Sequence, residues 1–281
     1  MIETVLHKWL RIPYTLNVHH KRRIKKPVAT VLFIHGLGNS AEAWDDVIIR
    51  LPHNVNIITV DLLGFGRSPR PDWASYNAKT QARAVLATLL KLRITTPIII
   101  VGHSLGSLVA IEVVKRYPII INALVLCSPP LYDTSAIGKK VSIKPDALLR
   151  QLYLAATERP DEFVRLCTLA MKYQLINKAF NVTADNIDSY MTTLKTMIIN
   201  QTSLRDAHDI TVPTVVLQGL LDPFVVSKNL RKLAKANANI RLTTVASGHE
   251  IKGRFIPAIV REINGLLSVP KKKRLFQPKS S

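Results

Sequence analysis

The sequence predicts an α/β protein, a mostly parallel β-sheet covered by helices on both faces. Three observations carry this. Short, nearly continuous apolar runs rich in valine and isoleucine recur along the chain. Amphipathic stretches at helical spacing lie between them. One apolar run, Pro97-Ile98-Ile99-Ile100-Val101, ends abruptly in Gly102-His103-Ser104-Leu105-Gly106 and then in a helix-like stretch. Strands that are apolar throughout are buried on both faces, as in a parallel sheet held between helical layers.

The elements follow in order. Strands are expected at Val28–Ile34, Val55–Val60, Pro97–Val101, Ala123–Cys127, Thr214–Gln218 and Ile240–Val245. Helices are expected at Ala41–Leu51, Asn77–Leu92, Ser107–Tyr117, Ser227–Ala236 and Pro257–Leu267. The basic run Lys21-Arg22-Arg23-Ile24-Lys25-Lys26 lies between Thr15-Leu16-Asn17-Val18 and the first strand, and reads as the exposed turn of a hairpin. His19-His20 falls in the same turn, which suits solvent better than a metal site. Between about Leu131 and His208 the alternation stops and only helices are expected. One starts at Ser142-Ile143-Lys144-Pro145-Asp146. Another starts at Pro160-Asp161-Glu162, with proline then acids in the first turn. A third starts at Thr183-Ala184-Asp185 and runs through Tyr190 and Leu194. The expected division is a core of residues 1–130 and 209–268, a helical cap or lid of 131–208, and a disordered basic tail of 269–281.

At 281 residues and 47% hydrophobic, the chain suits one large α/β domain with an insertion. No apolar run is long enough to cross a bilayer. The N-terminal residues lack a basic start followed by a long apolar stretch, so no signal peptide is expected and the cytoplasm is the expected compartment. Two cysteines, Cys127 and Cys167, support neither a disulfide framework nor a zinc site. Lysine and arginine number 39 against 19 acidic residues, a net charge of +20. The runs at 21–26 and at Lys271-Lys272-Lys273-Arg274 read as solvated basic faces, with electrostatic docking on an anionic membrane surface as the functional alternative. Neither has interleaved aromatics, so no specific nucleic-acid binding is expected.

The chemistry is carried by three distant residues. A strand that runs straight into a helix places Ser104 on a tight turn, where flanking glycines relieve clashes and expose the hydroxyl. A serine needs a base, and an imidazole base needs a carboxylate to orient it. His249 follows the last strand in Ser247-Gly248-His249, and Asp222 follows the preceding one in Gly219-Leu220-Leu221-Asp222-Pro223. The order Ser, Asp, His suits this triad on such a sheet. The oxyanion formed in acyl transfer needs N–H donors. The Leu105 amide, at a helix start, is one candidate. The Leu37 amide, in His35-Gly36-Leu37-Gly38-Asn39-Ser40, is the other, with His35 bracing that loop.

Together, His35-Gly36-Leu37-Gly38, Asp61-Leu62-Leu63-Gly64-Phe65-Gly66-Arg67-Ser68, Gly102-His103-Ser104-Leu105-Gly106, Gly219-Leu220-Leu221-Asp222 and Gly248-His249 resemble the α/β-hydrolase superfamily over roughly residues 10–268. The resemblance implies an eight-stranded, mostly parallel sheet with a helical cap and a Ser-Asp-His triad that uses no cofactor and no metal. Serine at the elbow departs from the dehalogenase and epoxide hydrolase branches, and Ser107 departs from the glycine or alanine of many relatives.

Several residues have plainer readings. Asp222 could cap a helix near Val225, and Asp133 is a rival acid. His208 precedes a strand, at the wrong end, and the His103 ring is expected to turn into the sheet. Asp61 and Arg67 read as loop braces through hydrogen bonds and a salt bridge, and Trp44 as core. Tyr153, Phe163, Met171 and Tyr190 could line an acyl pocket or simply pack. The expected function is cleavage of a small to medium hydrophobic acyl ester through an acyl-enzyme on Ser104. The alternatives are a monoacylglycerol lipase or lysophospholipase peripheral at a membrane, a carbon–carbon bond hydrolase, and a low-turnover binding protein.

Overall fold

The computed structural model describes residues 2–133, 154, 157–173, 179, 180, 182, 183 and 185–268. Its centre is a seven-stranded sheet: β1 (Val18–Arg22), β2 (Thr30–Ile34), β3 (Asn56–Val60), β4 (Ile98–His103), β5 (Ile121–Cys127), β6 (Thr214–Gly219) and β7 (Ile240–Val245), in the order β1-β3-β2-β4-β5-β6-β7. All neighbours are parallel except β1, which runs antiparallel to β3. The six strands read from the sequence form within two residues of their expected ends.

Period-two alternation divides the core. Leu32, Ile34, Ile58, Ile100, Leu124 and Val216 face one layer. Val31, Phe33, Ile57, Val101, Val125 and Leu217 face the other. The first layer is covered by α2 (Ala78–Lys91) and α3 (Leu105–Arg116), and the second by α1 (Asp45–Ile48) and α8 (Phe255–Ser268). Trp44, in the 3-10 turn that opens α1, is fully buried against Phe33 with ring centroids 4.9 Å apart. It is a core residue, as expected. Helix α2 starts where Asn77 Oδ1 accepts the Thr80 amide at 2.9 Å, an N-cap that satisfies an otherwise orphaned donor.

Two expectations at the N-terminal edge are corrected. The basic run is not a hairpin turn, because Lys21 and Arg22 lie in β1, which pairs with β3 and not with its sequence neighbour β2. The eighth strand implied by the resemblance is not formed among the described residues. Residues ahead of β1 give their amides to side chains instead of a ladder: Leu16 N–H donates to Thr88 Oγ1 and Asn17 N–H to Ser68 Oγ, each at 2.8 Å.

Between β5 and β6 the described residues form helices only: α4 (Pro160–Lys172), α5 (Ile187–Thr193), which continues as a π-helical turn over Leu194–Ile199, and α6 (Ser203–Ala207). Helix α4 opens on Pro160, Asp161 and Glu162 as expected. The third expected helix starts later, because Asn186 Oδ1 accepts the Thr183 amide at 2.8 Å and Asp185 and Asn186 form a turn ahead of Ile187. The helix expected at 142–146, Tyr153 and the tail 269–281 lie outside the described residues. Helix α7 (Ser227–Ala236) precedes β7.

Candidate active site

Each candidate residue sits at the carboxyl end of a strand, where loops of a parallel sheet converge. Ser104 follows β4 with φ 50° and ψ −117°. This left-handed backbone is strained for a serine and turns the strand into α3 without a linker. The flanking glycines are steric necessities. A Cβ on Gly102 would meet the Gly106 carbonyl oxygen at 2.5 Å, and one on Gly106 would meet that of Ile34 at 2.3 Å. The Ser107 hydroxyl, fully buried, donates to the Gly102 carbonyl at 2.8 Å, so the departure at this position adds a tie across the elbow.

Asp222 and His249 meet. His249 Nδ1–H donates to Asp222 Oδ2 at 2.8 Å and Oδ1 at 3.0 Å, and the carboxylate also accepts the Phe224 amide at 2.9 Å. Their loops are drawn together by backbone bonds that extend the β6–β7 register, Leu220 N–H to the Val245 carbonyl and Leu221 N–H to the Ser247 carbonyl. Asp222 therefore orients the imidazole and does not cap α7, which starts at Ser227. Asp133 lies exposed beyond β5. Ser104 joins the pair through the residue before it: His103 Nε2–H donates to the His249 carbonyl at 2.9 Å, and the two rings lie 5.0 Å apart. Among the described residues the Ser104 hydroxyl and His249 Nε2 make no hydrogen bond.

The Leu37 loop lies beside the elbow, since a Cβ on Gly36 would stand 3.3 Å from that of Ser104. The Gly36 carbonyl accepts from His35 Nδ1 at 2.7 Å and from the Asn39 amide at 3.2 Å. In a trans peptide the carbonyl and the next N–H point to opposite sides, so these bonds aim the Leu37 amide the other way. His35 Nε2 accepts the Leu62 amide at 2.9 Å, which fixes a neutral tautomer and makes His35 the brace expected. Asp61 is also a brace, but through hydrogen bonds alone. It takes the amides of Ala41 and Arg67 and the Asn17 side chain, and the expected salt bridge to Arg67 is replaced by that backbone amide.

A match to the alpha/beta hydrolase fold family spans residues 29–252, a stretch that includes Leu37, Ser104, Asp222 and His249. The chain belongs to that family. Among curated relatives, the Arabidopsis thaliana "Probable lysophospholipase BODYGUARD 4" is 27% identical over 117 residues, 41% of this chain and 28% of that protein. "Probable lysophospholipase BODYGUARD 2" of the same plant is 32% identical over 123 residues, 42% of this chain and 26% of that protein. The matched stretch thus spans little more than a quarter of their length. Among solved structures, an esterase from Exiguobacterium antarcticum superposes with a TM-score of 0.73 at 15% identity, covering 92% of this chain and all of that one.

Electrostatics at this site suit an orienting acid. Burial raises the Asp222 carboxyl, but the hydrogen bond and charge of His249, with the Ser128 hydroxyl and the Phe224 amide, outweigh it and hold it below the ordinary range. Burial, then the neighbouring His249, pushes His103 down to about 3, so it stays neutral. Burial likewise lowers His35 and raises Glu250, next to His249. Sequence reasoning missed the bond from His103 to the His249 carbonyl. Ser128, at φ 50° just past β5, is a second strained serine, and no motif marks it.

His19 and His20 lie in β1 rather than a turn. His20 Nε2 shares a hydrogen bond with Asp45 at 2.9 Å, and the three side chains bring ligating atoms within 4.8 Å of one another. Phe163 and Tyr190 pack on each other at 5.7 Å. Met171 and Phe180 line a cleft of about 370 Å³ with Asn39 and Ser40, next to the Leu37 loop.

Proposed function

We propose that this chain is a serine hydrolase that cleaves carboxylic esters of small to medium hydrophobic substrates. The single observation that carries this is the Asp222–His249 pair, 2.8 Å apart, beside a serine held in strained backbone. His249 takes the Ser104 proton as the oxygen attacks the acyl carbon, and Asp222 holds the imidazole tautomer and stabilises its cation. The Leu37 and Leu105 amides hold the oxyanion. The alcohol leaves with the proton from His249, and water activated by the same imidazole releases the acid. The helices between β5 and β6 serve as a cap. Phe180 supports this, since its ring lies so close to Gly38 that a Cβ there would stand 2.4 Å from it.

Ser104→Ala tests the reading. Turnover of p-nitrophenyl esters should fall by more than about a thousandfold with the melting temperature retained, and undiminished turnover would rule the mechanism out. Fluorophosphonate labelling of Ser104 separates an enzyme from a binding protein on the same scaffold. A second reading, hydrolysis of lysophospholipids or monoacylglycerols at a membrane surface, is favoured by the names of the plant relatives and by the net charge of +20.

A further inference from the structure

Residues 2–12 present the most concentrated exposed apolar surface among the described residues. Thr4–Trp9 form a short π-helical segment, and Ile2, Val5, Trp9, Leu10 and Ile12 are exposed, from 46% at Ile12 to 77% at Ile2. Val5 and Trp9, close to one turn apart in this π-helical segment, lie on one side, while Leu6 and His7 turn partly inward. The segment is nonetheless anchored. His7 stacks on Tyr14 with centroids 3.6 Å apart, Tyr14 lies 5.9 Å from Trp73, and Arg83 donates to the Arg11 carbonyl at 3.0 Å.

Behind it runs a groove of about 330 Å³ lined by His7, Lys8, Arg11, Tyr14, Trp73 and Arg83, among others. The only acid in residues 2–14 is Glu3, with Asp72 beside Trp73. The groove borders the start of α2, which follows the carboxyl end of β3. It therefore lies on the same end of the sheet as Ser104, Asp222 and His249.

From this we infer that residues 2–12 with Trp73 form a docking surface for an anionic phospholipid bilayer, with the apolar side chains entering the interface and Lys8, Arg11 and Arg83 meeting headgroup phosphates. Charge decides the occupant. Exposed tryptophan and leucine beside lysine and arginine, on a chain of net charge +20, complement a negatively charged apolar interface. Tryptophan is favoured at the headgroup level. Docking here would turn the catalytic end of the sheet toward the lipid. The inference deepens the membrane-surface reading and takes from the proposed function only the position of its site.

Vesicle cosedimentation tests it, with phosphatidylcholine vesicles compared to vesicles enriched in phosphatidylglycerol. The full chain should bind the anionic vesicles with a blue shift of Trp9 emission. Trp9→Ser with Leu10→Ser should weaken binding by at least about tenfold and leave short-chain ester turnover and melting temperature unchanged. Ser104→Ala should bind like the parent, so loss of catalysis and loss of docking are read separately. Replacing Lys271, Lys272, Lys273 and Arg274 by glutamine should leave most of the binding in place. The inference is overturned if the parent ignores anionic vesicles, if the Trp9/Leu10 variant binds as tightly as the parent, if the tail variant alone abolishes binding, or if sedimentation shows the same residues buried between two copies of the chain.

Discussion

At the scale of single residues, the candidate site depends on which atom of each side chain is committed elsewhere. Asp222 has a fully buried side chain and points its carboxylate at His249 Nδ1 while also holding the Phe224 amide. An acceptor there fixes the proton on Nδ1 and leaves Nε2 free as a base. Asp222→Asn keeps the shape but offers an N–H where an acceptor is needed, so the imidazole takes the wrong tautomer. The kcat for a soluble ester should drop by about 10³- to 10⁴-fold. A drop of less than about tenfold would mean that Asp222 does not orient the base. Ser104, Asp222 and His249 were legible because each sits in a short motif just past a strand. His103 was legible only in part. Its burial could be read from its place in the elbow, but its bond to the His249 carbonyl joins residues 146 positions apart and has no sequence signature.

At the scale of elements, glycine explains what patterning alone does not. Gly106 sits in the first turn of α3, against the end of β2. A Cβ there would press on the Ile34 and His35 carbonyl oxygens at 2.3 and 2.6 Å, backbone atoms that cannot rotate away. Gly265 sits exposed in the last turn of α8, with nothing within 4 Å of an added Cβ. Gly106→Ala should therefore destabilise the protein by about 2 kcal/mol or more. Gly265→Ala should stabilise it by about 0.5–1 kcal/mol, because alanine restricts the unfolded chain and favours helix. Urea unfolding of both variants checks the pair, and equal effects would remove the steric argument. The same contrast marks what the sequence could tell. Buried strands announce themselves by nearly continuous apolar runs, so β2 to β6 were legible, whereas the half-exposed edge strand β7 shows only Ile240, Leu242 and Val245 between polar residues. The partner of β1 was not. Its residues, Val18-His19-His20-Lys21-Arg22, carry no apolar face to fix a register, and pairing with β3 rather than β2 is settled by long-range contacts.

At the scale of the whole molecule, the charge of +20 and the buried histidines act together as pH falls. His103 titrates at about 3 in the folded chain against 6.5 when free, because burial excludes its charge. Below pH 6.5 the unfolded chain takes up a proton that the folded one refuses, so this residue removes stability throughout the window from 6.5 down to 3. The slope approaches about 1.4 kcal/mol per pH unit for the one group. His35, lowered by burial, acts in the same direction. Asp222, held below its ordinary value, contributes stability that is lost only as pH falls through the carboxylate range. Glu250, raised by burial, opposes these and returns some stability as it protonates. Every proton gained also adds to an already large positive charge, whose self-repulsion favours expansion. The local and global contributions separate in one substitution. His103→Gln keeps a donor for the His249 carbonyl but has no titrating ring, so its unfolding free energy should fall less steeply between pH 6.5 and 4 than that of the parent. Parallel pH profiles for the two proteins would place the acid sensitivity in the overall charge and not in the buried imidazole.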